Sequence, residues 1–150
     1  MSAAPESAAP AALREVARVR VIYGDTDQMG MVYYANYLRY FEFARSEFLR
    51  AHGRSYREME AEGLSLPVVE ATCRYVAPAR YEDVLLVGIE VPAVTRVTLT
   101  FRYQVTREGE AAVLCTGSTV HACLGKGGRP ARLPEWVAAL VADGSSASRG

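Results

Sequence analysis

The sequence predicts an α+β domain in which a five-stranded antiparallel sheet wraps around one long central helix. Three observations lead there. One uninterrupted segment has helical spacing, and the remaining apolar runs have strand-like lengths and alternation. Short breaks rich in Gly, Pro and Asp join those runs. An antiparallel sheet must also cover its apolar face, and one long helix is available to do so.

The elements follow in order. Residues 18–23 alternate, with Val19, Val21 and Tyr23 on one face and Arg18 and Arg20 on the other, which is a short first strand. A turn-rich segment with Gly24, Asp25, Asp27 and Gly30 comes next. No Pro or Gly interrupts positions 31–52, and Gly53 is a natural helix stop. Leu38, Phe41, Ala44, Phe48 and Leu49 recur at three- and four-residue steps, and Arg39, Glu42, Glu47 and Arg50 fall mainly on the other side. A helix of about 18 to 20 residues is roughly 27 to 30 Å long, enough for the spine of a small domain. The aromatic residues Tyr37, Tyr40, Phe41 and Phe43 are assigned to the core.

Residues 54–63 form a short polar helix ending at Gly63. Residues 64–76 are a strand whose early Pro67 suits an edge or a strand beginning. Residues 77–80 are a break. Residues 83–91 are apolar at nearly every position and so partly buried on both faces. Residues 96–105 alternate, residues 107–110 turn, residues 111–124 make a long last strand, and residues 134–141 form a final short helix.

At 150 residues, half of them hydrophobic, the chain is one compact domain, expected over 15–142 between tails at 1–14 and 143–150. Basic and acidic residues balance at 17 each, so no basic field draws nucleic acid or anionic lipid. No apolar run approaches the ~20 residues of a membrane helix, which excludes membrane insertion by that route. The N-terminus lacks the basic and apolar regions of a signal peptide, so a cytoplasmic location is expected. Cys73, Cys115 and Cys123 lie in strand-like runs and are expected to be reduced and buried.

The chemistry is expected around Asp25 and Asp27. Either carboxylate can simply cap a turn or helix. The pair, however, sits where a strand hands over to the start of a buried helix, whose free N–H groups and positive dipole end make an oxyanion site. Attack on a carbonyl group needs such donors together with a nucleophile or base. Asp27 supplies the second and the amides of residues 32–34 the first.

The run Gly24-Asp25-Thr26-Asp27, then Gly30, then Val32-Tyr33-Tyr34-Ala35-Asn36-Tyr37 closely resembles the opening of the 4-hydroxybenzoyl-CoA thioesterase family of hotdog-fold acyl-CoA thioesterases. The resemblance extends over roughly residues 16–125. It implies a hotdog fold and hydrolysis of an acyl-CoA to a free acid and CoA, with no metal or redox cofactor. It places the catalytic carboxylate at Asp27, as nucleophile through a mixed anhydride or as general base for water. Tyr34 matches the position whose backbone N–H polarises the thioester carbonyl. A neighbouring branch has His there, so acid–base help is less to be expected from this Tyr side chain than from that His. Gly30 lets the backbone approach the acyl group, with Val32 beside it; Tyr33 and Asn36 either orient the motif or serve packing and capping. Asp25 is assigned to turn stabilisation. Family subunits pair edge to edge, which implies a homodimer or homotetramer with the site at the interface.

Other motifs carry less. His121, Cys123 and Cys115 share a parity on the last strand without metal-ligand spacing, so they belong to the core. No G-x-S-x-G elbow is present, and residues 125–128 lack the order of a phosphate loop. Arg74, Arg80 and Arg102 are candidates for the CoA phosphates, or plain surface residues. The alternatives are an acyl-ACP thioesterase and a non-catalytic acyl-binding hotdog subunit. A hotdog dehydratase needs an active-site His, and neither His52 nor His121 lies in such a motif.

Overall fold

The computed structural model describes residues 13–141. Its elements are β1 (Arg14–Arg20), a 3-10 turn (Tyr23–Asp25), α1 (Asn36–Ala51), α2 (Tyr56–Ala61), β2 (Val68–Tyr75), β3 (Val84–Val94), β4 (Thr98–Arg107) and β5 (Val113–Ala122). The strands form one antiparallel sheet in the order β1-β3-β4-β5-β2, packed on α1 as a hotdog fold. Apart from Leu13 and Arg14, the expected tails lie outside the described residues.

Several boundaries differ from expectation. β1 begins at Arg14 and ends at Arg20, because a bulge between Glu15 and Ala17 breaks the alternation that would reveal its first half. Helix α1 has 16 residues, about 24 Å, and starts at Asn36. Residues 31–35 are spent on a turn, in which Val32 bridges Thr26 and its amide donates to the Ala79 carbonyl. The helix ends as Gly53 predicts. Its φ of +73° allows the Gly53 amide to reach the Arg50 carbonyl and the Arg54 amide to reach that of Leu49. At the C-terminal side, the expected helix is a 3-10 turn (Glu135–Val137) running into helical backbone to Val141.

The buried face of α1 carries Tyr37, Tyr40, Phe41, Ala44, Phe48 and Leu49. Leu38 and Phe43, both expected in the core, are exposed, since they sit on flanks of that row which the sheet does not cover. Phe41 stacks flat on Tyr103 of β4 at 4.2 Å, and Phe48 meets Phe101 edge-on. Gly117 on β5 leaves room for the Phe41 ring: a Cβ there would fall 2.5 Å from Phe41 Cε2.

His121 lies in the core, as expected, at one end of a hydrogen-bond chain. Its Nδ1–H donates to the Leu66 carbonyl, so its Nε2 accepts from the Thr119 hydroxyl. Thr119 in turn accepts from Tyr103, whose hydroxyl oxygen accepts from Arg45. Burial, opposed by the Leu66 carbonyl and helped by the Arg45 charge, lowers the imidazole to about 4 from its ordinary 6.5. Between those values the unfolded chain takes up a proton that the folded chain refuses. Stability is therefore expected to fall as pH drops from about 6.5 towards 4. Urea midpoints at pH 4.5 and pH 7 should differ less in His121→Gln than in the parent chain.

The sheet order puts β2 at the far edge from β3, so residues 76–83 must cross the fold to link them. This crossover is the floor beneath the carboxylate turn. Ala79 is fully buried and accepts from Val32, while Val21 exchanges hydrogen bonds with Glu82 and Asp83.

Candidate active site

Asp27 closes a tight turn. Its Oδ1 accepts from the Met29 and Met31 amides at 2.9 and 3.4 Å, and its carbonyl accepts from the Gly30 amide. Gly30 has φ +81°, a left-handed conformation in which a side chain would be strained. No described residue donates to Oδ2, which leaves one carboxylate oxygen available for chemistry.

Asp25 does more than stabilise a turn. It is buried, and its Oδ2 accepts from Tyr40 at 2.9 Å and from the Ile22 amide, while Oδ1 accepts from Arg39 at 3.3 Å. Its carbonyl accepts from the Tyr33 amide and the Asn36 Nδ2 group. One residue thus ties the turn to the first two turns of α1. Burial and the Asp25 carboxylate hold the Tyr40 phenol well above its ordinary range, which keeps it a donor. Tyr40→Phe is expected to cost about 1.5–3 kcal/mol, the range for a hydrogen bond to a charged group, as read from urea unfolding.

The amides of the expected oxyanion site are not equivalent. Val32 donates to Ala79 and Tyr33 to Asp25, so neither is free. Among the described residues nothing accepts from the Tyr34 amide. The Tyr33 carbonyl accepts from the Asn36 amide, and in a trans peptide the Tyr34 N–H points the opposite way, out of the helix end. Asn36 therefore both opens the helix and orients this peptide.

Asp27 and Tyr34 face one cavity of about 300 Å³, which Met31, Val32, Tyr37 and Tyr75 also line. Burial pushes the Tyr37 phenol up to about 12, so this side chain stays protonated in the wall. Tyr33 lies outside the cavity lining, exposed, with its ring tilted against that of Tyr34 at 4.7 Å. A larger groove of about 680 Å³ between β1 and α1 includes Asp25, Arg39 and Phe43. Both Asp25 oxygens there already accept hydrogen bonds, whereas the smaller cavity holds an unpartnered Asp27 oxygen beside the Tyr34 amide.

The arginines divide. Arg80 donates to the Gly30 carbonyl at 3.3 Å, bracing the turn from the crossover. Because Gly117 points at the helix, its neighbour Ser118 and the residues paired with Ser118, Thr72 and Arg102, lie on the outer sheet face, as does Arg74. Arg102 is paired there with Glu90. Among the described residues, no three His, Cys, Asp or Glu side chains group as metal ligands.

The model of the thioesterase-like superfamily matches residues 21–141. The chain belongs to that superfamily. The acyl-CoA thioester hydrolase YbgC of Escherichia coli O6:H1 is 36% identical over 104 residues, 65% of this chain and 78% of that protein. The crystal structure of protein TT1821 from Thermus thermophilus is similar at 39% identity and TM-score 0.79, covering 87% of this chain and 99% of its own. A 1,4-dihydroxy-2-naphthoyl-CoA thioesterase from Synechocystis superposes with TM-score 0.79 at 26% identity, over 85% of this chain and 94% of its own. In this chain the D-x-D turn and the Val32–Tyr37 run, adjacent in sequence, are also joined in space by the Thr26–Val32 bridge and the Tyr33 amide on the Asp25 carbonyl. The residues that sequence reasoning missed are Met31, Tyr37 and Tyr75 as cavity walls, and Tyr40 and Arg39 as anchors of Asp25. Nothing in the strand pattern marks Tyr75, because its role depends on an edge strand ending beside a helix start.

Proposed function

We propose that the chain hydrolyses acyl-CoA thioesters to the free acid and CoA. The observation that carries this reading is the free Oδ2 of Asp27 on the same cavity as the unpartnered Tyr34 amide. The thioester carbonyl sits with its oxygen towards the Tyr34 N–H, where negative charge develops. Asp27 then attacks the carbonyl carbon to form a mixed anhydride that water cleaves, or it takes a proton from a water that attacks directly. Either route breaks the C–S bond and releases the thiol. Gly30 and Val32 shape the acyl side of the site, and Tyr33 borders its mouth.

The functional unit is a homodimer, or a homotetramer of two such dimers. β2 is an edge strand with Val68, Val69 and Tyr75 exposed, as is Val76 just beyond it, and a second copy of the same edge would cover it beside the cavity. No described helix is long and apolar enough to cross a membrane. The described cysteines are free thiols, as a reducing cytoplasm would keep them. Thiol release from a panel of aromatic and aliphatic acyl-CoAs, with the matching acyl-ACPs and an enzyme-only blank, tests the activity. Turnover of CoA thioesters is the expected result. Turnover of ACP thioesters alone would move the assignment to the carrier-protein enzyme, and tight acyl-CoA binding without turnover to an acyl-binding subunit.

A further inference from the structure

Tyr75 is the last residue of β2, and its phenol reaches across to the start of α1, where it donates to the Tyr34 carbonyl at 2.9 Å. Among the described residues, no backbone amide serves that carbonyl. The phenol thus supplies a donor that the helix end lacks. The two peptide planes flanking the Tyr34 Cα are then each fixed by one bond: the Asn36 amide on the Tyr33 carbonyl, and Tyr75 on the Tyr34 carbonyl. With both planes held, the Tyr34 N–H cannot swing away from the cavity.

The ring is seated for this task. It meets the Tyr37 ring edge-on at 5.4 Å and the Tyr34 ring at 6.3 Å, and it lines the cavity that holds Asp27. Its cross-strand partner is Cys115, on the helix side of the sheet, and Cys73 precedes it on the same face. Burial, with Cys73 beside it, raises the phenol above its ordinary range, so it remains a proton donor throughout neutral pH.

We propose that Tyr75 is a positioning residue whose hydroxyl holds the Tyr34 turn in the conformation that presents its amide to the thioester carbonyl, while its ring forms part of the acyl wall. This rests on the thioesterase reading above and assigns the carbonyl-binding geometry to a strand residue outside the D-x-D motif. Without the hydroxyl, the Tyr34 carbonyl loses its hydrogen bond, and the adjoining plane that carries the Tyr34 N–H is held by the Asn36 amide alone, so the donor is loosened rather than removed.

The test uses the full-length chain. Tyr75→Phe keeps the ring and deletes the hydroxyl. It is expected to lower kcat about 10- to 100-fold, less than the ~10²–10³ for outright loss of an oxyanion donor, with KM changed less than about threefold and the fold intact. A variant with parental kcat, or one in which only KM rises, overturns the proposal. A binding readout separates this outcome from failure of the thioesterase reading. The variant should weaken binding of a non-hydrolysable ketone analogue of acyl-CoA and leave the corresponding thioether, which has no carbonyl, unaffected. Equal effects on both analogues overturn the proposal whether or not the parent chain turns over. A parent chain that hydrolyses no thioester, but whose ketone binding depends on the hydroxyl, removes the thioesterase reading and keeps the positioning role.

Discussion

Asp27→Asn is expected to lower kcat by about 10²–10⁴ while leaving the fold in place. The amide side chain keeps an oxygen at the Oδ1 position, so the Met29 and Met31 amides still have their acceptor. The tight turn then persists, and the variant should unfold at the parental urea midpoint. What is lost is the carboxylate oxygen that faces the cavity, the proposed nucleophile or general base. KM should change little, because the cavity walls and the Tyr34 amide are untouched. The measurement is steady-state thiol release with the best acyl-CoA of the panel, together with a urea melt on the same preparation. A variant with more than a tenth of parental kcat would remove Asp27 from the chemistry. Loss of activity together with loss of stability would show instead that the carboxylate is a turn element.

Gly117→Ala is expected to be the most damaging single-methyl change in the sheet. The added Cβ would lie 2.5 Å from both Phe41 Cε2 and the Thr72 carbonyl oxygen. One neighbour is the central ring of α1, pinned against Tyr103 at 4.2 Å, and the other is backbone of the adjacent strand. Neither can yield cheaply, so a cost of about 2–3 kcal/mol follows, or roughly 5–10 °C in Tm. Phe41→Leu removes one of the two clashes. In the double variant the Gly117 substitution should therefore cost less than it does alone, with a measurable coupling energy. Because Thr72 remains, the relief should be partial. Additivity of the two changes would show that α1 shifts as a body and that the close packing at Gly117 is not a constraint.

Local chemistry made much of the fold legible. The helix stop at Gly53, the alternation of residues 96–105 and the break at 77–80 all reflect interactions within a few residues, which a linear pattern records. The D-x-D turn was legible for the same reason: Asp27 bonds amides two and four residues on. The helix start is not legible in the sequence because nothing in residues 31–35 forbids helix. Long-range partners, the Ala79 carbonyl for Val32 and the Asp25 carbonyl for Tyr33, take their amides instead. Period and hydrophobicity place Leu38 and Phe43 in the core, yet the width of the face that the sheet covers is set by packing.

The sequence by itself determined the elements, the hotdog architecture, the superfamily and the carboxylate pair, because composition, periodicity and a compact motif carry that information along the chain. Only the tertiary structure decided which carboxylate keeps a free oxygen, which amide stays unpaired and which strand ends beside them. The β1-β3-β4-β5-β2 order sends residues 76–83 under the turn and brings Tyr75 to the Tyr34 carbonyl across 41 residues of sequence. Hydrogen bonds over such separations depend on strand order and register. No periodicity encodes them, since each partner looks locally like an ordinary residue of its own strand or turn.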